Sequence, residues 1–264
     1  MNTTEVNPAS FKKVISPSIF YVLKKFLNMI LLMNIKGALY FIITTIINFI
    51  NQIKSKNHYY CNVCDTSSAY FIHTSNKYRI SWSSICPNCN SRKRHRGLYK
   101  LYQIQLEKMQ KPIILHFAPE PVLYHLFNHC EYITADISLD DVNLQLDIEK
   151  IDYQSESFDL LLCNHVLEHV KKDIVALREL NRILTINGVL ILTVPGNWRI
   201  EKTRQFKETD QNGHYRDYGL DFVSVLENIF NHVKVIDLAQ YNHKYILPLG
   251  IEKNHDLAFH CSKI

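Results

Sequence analysis

The chain has 264 residues, enough for one large domain with a small companion or for two modest domains. Apolar residues make up 47% and charged residues 21%, an ordinary globular balance, and a net charge of +5 is too small to argue for nucleic acid by itself. Seven cysteines, four of them in two Cys-x-x-Cys pairs, fit metal ligation in a reducing compartment better than a disulfide framework.

Residues 1–18 carry Pro8 and Pro17 and read as a loose polar leader. No small-residue cleavage site follows the next apolar run, so an intracellular, cytoplasmic protein is expected. That run extends from Ile19 to Ile53, and residues 37–53 carry no charge, a length at the lower edge of a membrane span. On a helical projection Thr44, Thr45, Asn48, Asn51 and Gln52 share one side. Leu39, Ile42, Ile43, Ile46, Ile50 and Ile53 share the other. A one-sided polar face favours a helix lying in a membrane interface, or packed on protein, over one that spans. Lys24, Lys25, Lys36, Lys54 and Lys56 at its ends suit anionic headgroups. Residues 1–57 are therefore read as an apolar helical segment, with residues 19–53 peripheral at a membrane.

Cys61 and Cys64, then 21 residues, then Cys86 and Cys89 form two knuckles at the separation of a closed tetrahedral Zn(II) site. Between them Tyr70-Phe71-Ile72 and Tyr78-Arg79-Ile80-Ser81-Trp82 have the β-rich character of a zinc ribbon hairpin. Residues 58–98 are assigned to this ribbon. A segment so small cannot bury enough apolar surface alone, so the metal, a structural one, would stabilise it. The basic cluster Arg92-Lys93-Arg94-His95-Arg96 follows, either a solvated helix start or a phosphate-binding patch. A helix is expected from Leu98 to Met109.

Residues 99–264 read as an α/β domain. Buried strands are expected at 112–117, 132–136, 142–146 and 160–163, the last opened by Asp159 and ended by Asn164 and His165. Helical spacing resumes at Val166, Val170 and Ile174, an amphipathic helix covers 171–184, and Asn187-Gly188 turns the chain into a fifth strand over 189–194. A further helix over 220–230 leads to strands near 233–237 and 257–262. Seven strands with helices between the first five describe a Rossmann-like sheet, whose ligands lie beyond the carboxyl ends of the strands. Asp136 stands 20 residues after His116, the spacing at which a carboxylate bonds the ribose of a nucleoside cofactor.

The stretch Phe158-Asp159 to Asn164-His165-Val166-Leu167-Glu168-His169-Val170 resembles the fourth strand of class I S-adenosylmethionine-dependent methyltransferases. Leu115-His116-Phe117-Ala118-Pro119-Glu120, His214-Tyr215-Arg216-Asp217-Tyr218-Gly219 and Cys86 to Arg96 extend the resemblance to one branch of the type 11 group. It covers about residues 58–264 and implies S-adenosylmethionine as methyl donor. It further implies cofactor contacts from His116, Phe117, Ala118, Glu120, Asp136, Ile137, Asp147, Ile148, Asn164 and His165. Relatives are associated with surface-polysaccharide and glycan biosynthesis, so O-methylation of a sugar in a surface or lipid-linked glycan is expected. His165 and His214 are the candidate bases, since histidine titrates near neutrality; His169 is expected to brace its helix with Glu168. The alternatives are an RNA methyltransferase that grips phosphates with the ribbon and basic cluster, and a non-catalytic scaffold. The departure is at the first turn: most methyltransferases place glycines there, and this chain has only Ala118-Pro119-Glu120. Glu120 is expected to receive the cationic part of the cofactor.

Overall fold

The computed structural model describes residues 35–53, 59–75, 80–242 and 257–263. The polar leader, the first half of the apolar run with Lys24 and Lys25, Lys54, Lys56, Tyr78 and Arg79 lie outside the described residues. The chain divides into two compact units, 1–99 with 241–251, and 100–240 with 252–264.

The first unit opens with helix α1 (Ile35–Gln52). Strands β1 (Tyr59–Cys61) and β2 (Thr66–Ser68) form one antiparallel pair, and β3 (Ile72–Ser75) and β4 (Ile80–Ile85) form another. The polar face of α1 is turned toward β3. Asn48 donates to the carbonyl of His73 and accepts from its N–H, both at 2.8 Å. Asn51 Nδ2 lies 3.3 Å from His73 Nε2, and Thr44 Oγ1 lies 3.3 Å from Ser75 Oγ. Ile35, Leu39, Ile42, Ile46, Phe49, Ile50 and Ile53 are left exposed, at the three- and four-residue spacing of one helical face. This is the reverse of the usual amphipathic arrangement. No described helix is long and apolar enough to cross a membrane.

The ribbon strands begin later than the sequence suggests, because Phe71 is not a ladder residue. Its ring is fully buried, with the Arg96 guanidinium 4.4 Å above it. Helix α2 (Lys93–Leu106) starts five residues before the expected Leu98. The His95 ring accepts from the Arg92 N–H at 3.2 Å and closes the first turn. The division between the two units falls after Tyr99, inside this helix.

The second unit is built on a seven-stranded sheet. Its members are β5 (Ile113–Phe117), β6 (Glu131–Asp136), β7 (Leu144–Gln145), β8 (Phe158–Asn164), β9 (Leu184–Thr193), β12 (His232–Asp237) and β13 (Leu257–Ser262). The short pair β10 (Arg204–Gln205) and β11 (Arg216–Asp217) stands apart from it. The order is β12-β13-β9-β8-β5-β6-β7, parallel from β9 to β7, with β13 antiparallel to both neighbours. Leu160, Leu161, Leu162 and Cys163 of the central β8 are all buried, as a strand covered on both faces requires. Helix α3 (Asp173–Ile183) packs Ala176, Leu177, Leu180 and Ile183 inward, and α4 (Phe222–Glu227) buries Phe222 and Leu226. The chain leaves β5 toward β6 and β7 on one side, then returns to β8 and β9 on the other. The carboxyl ends of β5 and β8 are therefore the switch point where such sheets bind ligands.

Two local expectations are corrected. Val166, Val170 and Ile174 do not continue one helix: Leu167–His169 is a 3-10 turn, and α3 starts only at Asp173. Asn187 and Gly188 do not precede the fifth strand but lie within β9. There Asn187 takes φ 64, and β9 advances from Leu184 to Val189 while β8 advances from Phe158 to Leu160. The ladder is interrupted there, with three more residues on β9 than on β8, and the left-handed Asn187 lies inside the interruption.

His116 is buried on β5, its Nδ1 2.8 Å from the Tyr132 hydroxyl and its ring edge-on to Phe127. Burial lowers its pKa to about 4 from an ordinary 6.5. Protonation therefore favours the unfolded chain, where the imidazole is free to charge. Stability from this group is complete above pH 6.5 and is lost as pH falls toward 4, by about 2 kcal/mol at pH 5 and about 3 kcal/mol in full. Urea unfolding at pH 7, 5 and 4 checks this. His116→Phe should flatten that slope, and an unchanged slope refutes the assignment.

Candidate functional site

The four cysteines converge. Cys61 Sγ lies 3.7 Å from Cys89 Sγ, Cys64 Sγ lies 3.9 Å from Cys86 Sγ, and all four sulfurs lie within 4.8 Å of one another. These separations are far beyond a disulfide bond of about 2.05 Å. They match the roughly 3.8 Å between sulfurs set tetrahedrally on a cation at about 2.3 Å. Ser91 Oγ at 3.2 Å from Cys61 and Thr66 Oγ1 at 2.9 Å from Cys64 supply hydroxyl partners to the sulfurs. The sequence-predicted ligand set is thus brought together whole. The basic cluster beside it is not a uniform phosphate patch. Arg96 is buried, donating to the carbonyls of Ser91 at 2.8 Å and Ser84 at 3.5 Å, and His95 is buried as well. Arg92, Lys93 and Arg94 keep some exposure.

At the carboxyl end of β5 the side chains of His116 and Phe117, expected among the cofactor contacts, are packed inside the protein. Alternation on the strand sends Phe117 into the main core cluster and His116 against Phe127 and Tyr132. Ala118 and Glu120 are partly exposed. Ala118 takes φ 47, the left-handed backbone that a glycine ordinarily supplies, and its N–H bonds the carbonyl of Ala135 at 2.9 Å. The turn is therefore made without glycine. Asp136, at the end of β6, receives the Ser138 N–H, Ser138 hydroxyl and Leu139 N–H on Oδ1. Those three bonds fix the carboxylate and leave its other oxygen outside the turn. Ile137 is 68% exposed beside it. Asp147 holds the Glu149 N–H on Oδ1, and Ile148 is buried in the core.

At the end of β8, Asn164 is buried and shared among three partners. Its Nδ2 donates to the Tyr102 hydroxyl at 2.7 Å and reaches Glu120 Oε2 at 3.5 Å, while its Oδ1 accepts from Thr193 at 3.2 Å. The next residue, His165, takes φ 52, so strands β5 and β8 are each followed by a left-handed non-glycine residue. His165 Nδ1 lies 3.3 Å from Oε1 of Glu168, whose carboxylate is 1% exposed and whose Oε2 has no hydrogen-bond partner. This makes an imidazole–carboxylate pair with the imidazole one-third exposed.

The loop that ends in Gly219 holds this arrangement. Arg216 is buried, and its guanidinium donates to the carbonyls of Leu167 at 2.8 Å, Val170 at 2.6 Å and Lys171 at 2.8 Å. The Tyr218 hydroxyl donates to Asp173 at 3.0 Å, and the Tyr215 N–H to the carbonyl of Glu168 at 2.8 Å. His214 is thereby set against His169, ring centroids 4.8 Å apart. Asp210 Oδ1 accepts the N–H groups of Asn212 and His214, and the His214 bond holds the Asp210 carboxyl below its usual range. Sequence reasoning named His165 and His214 but missed that Glu168, His169 and Arg216 tie them together. The available signal was an acid flanked by histidines directly after a buried strand.

Zinc loading tests the thiolate site. Cys86→Ser should remove about one equivalent of Zn(II) per chain by elemental analysis and open residues 59–90 to protease, with the second unit intact. Equal zinc content in wild type and variant refutes the ligand set.

Residues 123–192 match the family described as "Methyltransferase domain". No curated protein matches the sequence. Among solved structures, the 1,6-didemethyltoxoflavin-N1-methyltransferase of Burkholderia thailandensis was solved with bound 1,6-didemethyltoxoflavin and S-adenosylhomocysteine. It is 14% identical over 62% of this chain and 76% of that one, with a TM-score of 0.46. A SAM-dependent methyltransferase from Archaeoglobus fulgidus is 12% identical over 66% and 95% of the two chains, at 0.46. The YcgJ protein of Bacillus subtilis is 12% identical over 64% and 99%, at 0.42. The family match runs from the 3-10 turn after β5 through nearly all of β9, about a quarter of the chain and all of it within the second unit.

Proposed function

We propose that this enzyme O-methylates a sugar hydroxyl of a membrane-carried glycan, with His165 as the base. The observation that carries the base is the His165–Glu168 pair at the end of β8. A buried carboxylate against Nδ1 keeps the proton there and leaves Nε2 to accept one, the tautomer being set by the partner. S-adenosylmethionine supplies a methyl group already activated on its sulfonium. Asp136 binds the ribose through the oxygen left outside its turn, and Glu120 faces the cationic end from the first loop. Ile137 and Asp147 border the adenine. His165 takes the acceptor proton as the O–H bond breaks, the new O–C bond forms in line, and the C–S bond breaks to leave a neutral thioether. Positioning does most of the work in such a displacement.

Calorimetric titration with S-adenosylmethionine tests the cofactor site. Asp136→Ala should weaken binding by about 1–3 kcal/mol, the cost of an acceptor lost from a buried hydroxyl. His165→Gln should lower methyl transfer at saturating S-adenosylmethionine at least about 100-fold at neutral pH. A folded protein that does not bind the cofactor is the non-catalytic scaffold instead. The RNA reading is weakened by Arg96, whose guanidinium is spent inside the ribbon.

The acceptor's membrane setting rests on α1. Its polar face bonds β3 and its isoleucines face outward. Lys36 lies at one end of that face, and Lys54 and Lys56 follow the other in sequence, which suits an anionic bilayer. Cosedimentation with phosphatidylglycerol-containing vesicles should fall about tenfold or more for Ile46→Asp with Phe49→Asp. Undiminished binding by the double variant rules this surface out.

A further inference from the structure

We propose that Glu168, His169 and His214 bind a divalent transition-metal cation beside His165. One ligand atom from each lies within 4.8 Å of the others. Two imidazoles and one carboxylate suit Zn(II), Fe(II) or Co(II), and three protein ligands leave coordination positions open. Each imidazole is already oriented as a ligand. His169 Nδ1 is 3.2 Å from the carbonyl of Gly213, and His214 Nδ1 faces Asp210 Oδ2 at 3.7 Å. The Gly213 carbonyl at His169 Nδ1 leaves that ring's Nε2 with a lone pair, the usual support behind a metal-bound histidine, and Asp210 stands behind His214 in the same place at longer range. The carboxylate adds the second observation. Glu168 is 1% exposed, its Oε1 lies 4.0 Å from His169 Nε2, and its Oε2 is buried without a hydrogen-bond partner.

Bonds of about 2.0–2.2 Å require ligand atoms roughly 3–3.5 Å apart, so the two rings close in by about 1 Å on loading. The site remains open, with His169 46% and His214 22% exposed. Resting on the methyl-transfer reading above, the cation's place in the reaction is to take the acceptor hydroxyl at an open position and lower its pKa, so that His165 receives the proton more readily.

The test titrates Co(II) into full-length protein whose cysteine site has been filled with Zn(II). One further equivalent should bind with weak ligand-field absorption and without the intense thiolate charge-transfer band. His169→Ala and His214→Ala should each weaken that binding tenfold or more, and His129→Ala should not. Asp210→Asn should weaken it less than either. Absence of a second equivalent, a thiolate band alone, or binding unmoved by both histidine variants overturns the site. The readout does not involve the methyl donor, so loss of S-adenosylmethionine binding and loss of Co(II) binding are separate results.

Discussion

A single guanidinium organises the carboxyl end of the central strand. After β8 the chain runs from His165 to Lys172 with only one 3-10 turn, so several of its carbonyls have no helix or sheet to bond. Arg216 reaches them from about 45 residues away in sequence and donates to three, while Asp173 lies 3.4 Å from its Nε. A buried carbonyl without a donor costs about as much as a lost hydrogen bond, so this segment keeps its shape only while the guanidinium is in place. The planar fork matters here, because an ammonium cannot address three carbonyls from one fixed plane. Glu168 and His169 sit within the segment so held, and Tyr215, next to Arg216, bonds the Glu168 carbonyl.

The sheet was legible in the sequence because strands covered on both faces must be apolar throughout. Leu160 to Cys163 and Leu190 to Leu192 are such runs. The four cysteines were legible for a related reason: thiolate spacing is set by metal geometry, which is local and strict. What lay between was not. Val166, Val170 and Ile174 have helical spacing, but the backbone there answers to Arg216, a partner that periodicity cannot reveal. His116 looked like a motif residue facing a ligand, yet strand alternation and the Tyr132 hydroxyl turn it inward. Glu168 was read only as a helix brace. Its burial depends on the loop at 210–219 closing over it, a non-local contact that no window of sequence contains.

The first turn shows how composition can mislead in the other direction. The lack of glycine counted against a cofactor loop, but Ala118 adopts the left-handed backbone regardless, as does His165 on the neighbouring strand. For a residue with a Cβ this costs roughly 1–2 kcal/mol. The surrounding bonds, from Ala118 N–H to Ala135 and from His165 N–H to Thr193, hold both in place. Two such residues side by side at the switch point put backbone strain where ligands of these sheets lie, as Asn187 does at the interruption in β9.

Asn48 has a consequence beyond fastening α1 to the ribbon. Its side-chain amide presents one donor and one acceptor to His73, the same pair that a neighbouring strand would present. Among the described residues β3 pairs with β4 alone, so the outer edge of this two-stranded sheet would otherwise offer an open N–H and C=O to an extended segment. A helix that supplies a counterfeit strand partner closes that edge at its centre. That edge is thereby closed to added strands at His73, while the same helix turns its row of exposed isoleucines the other way.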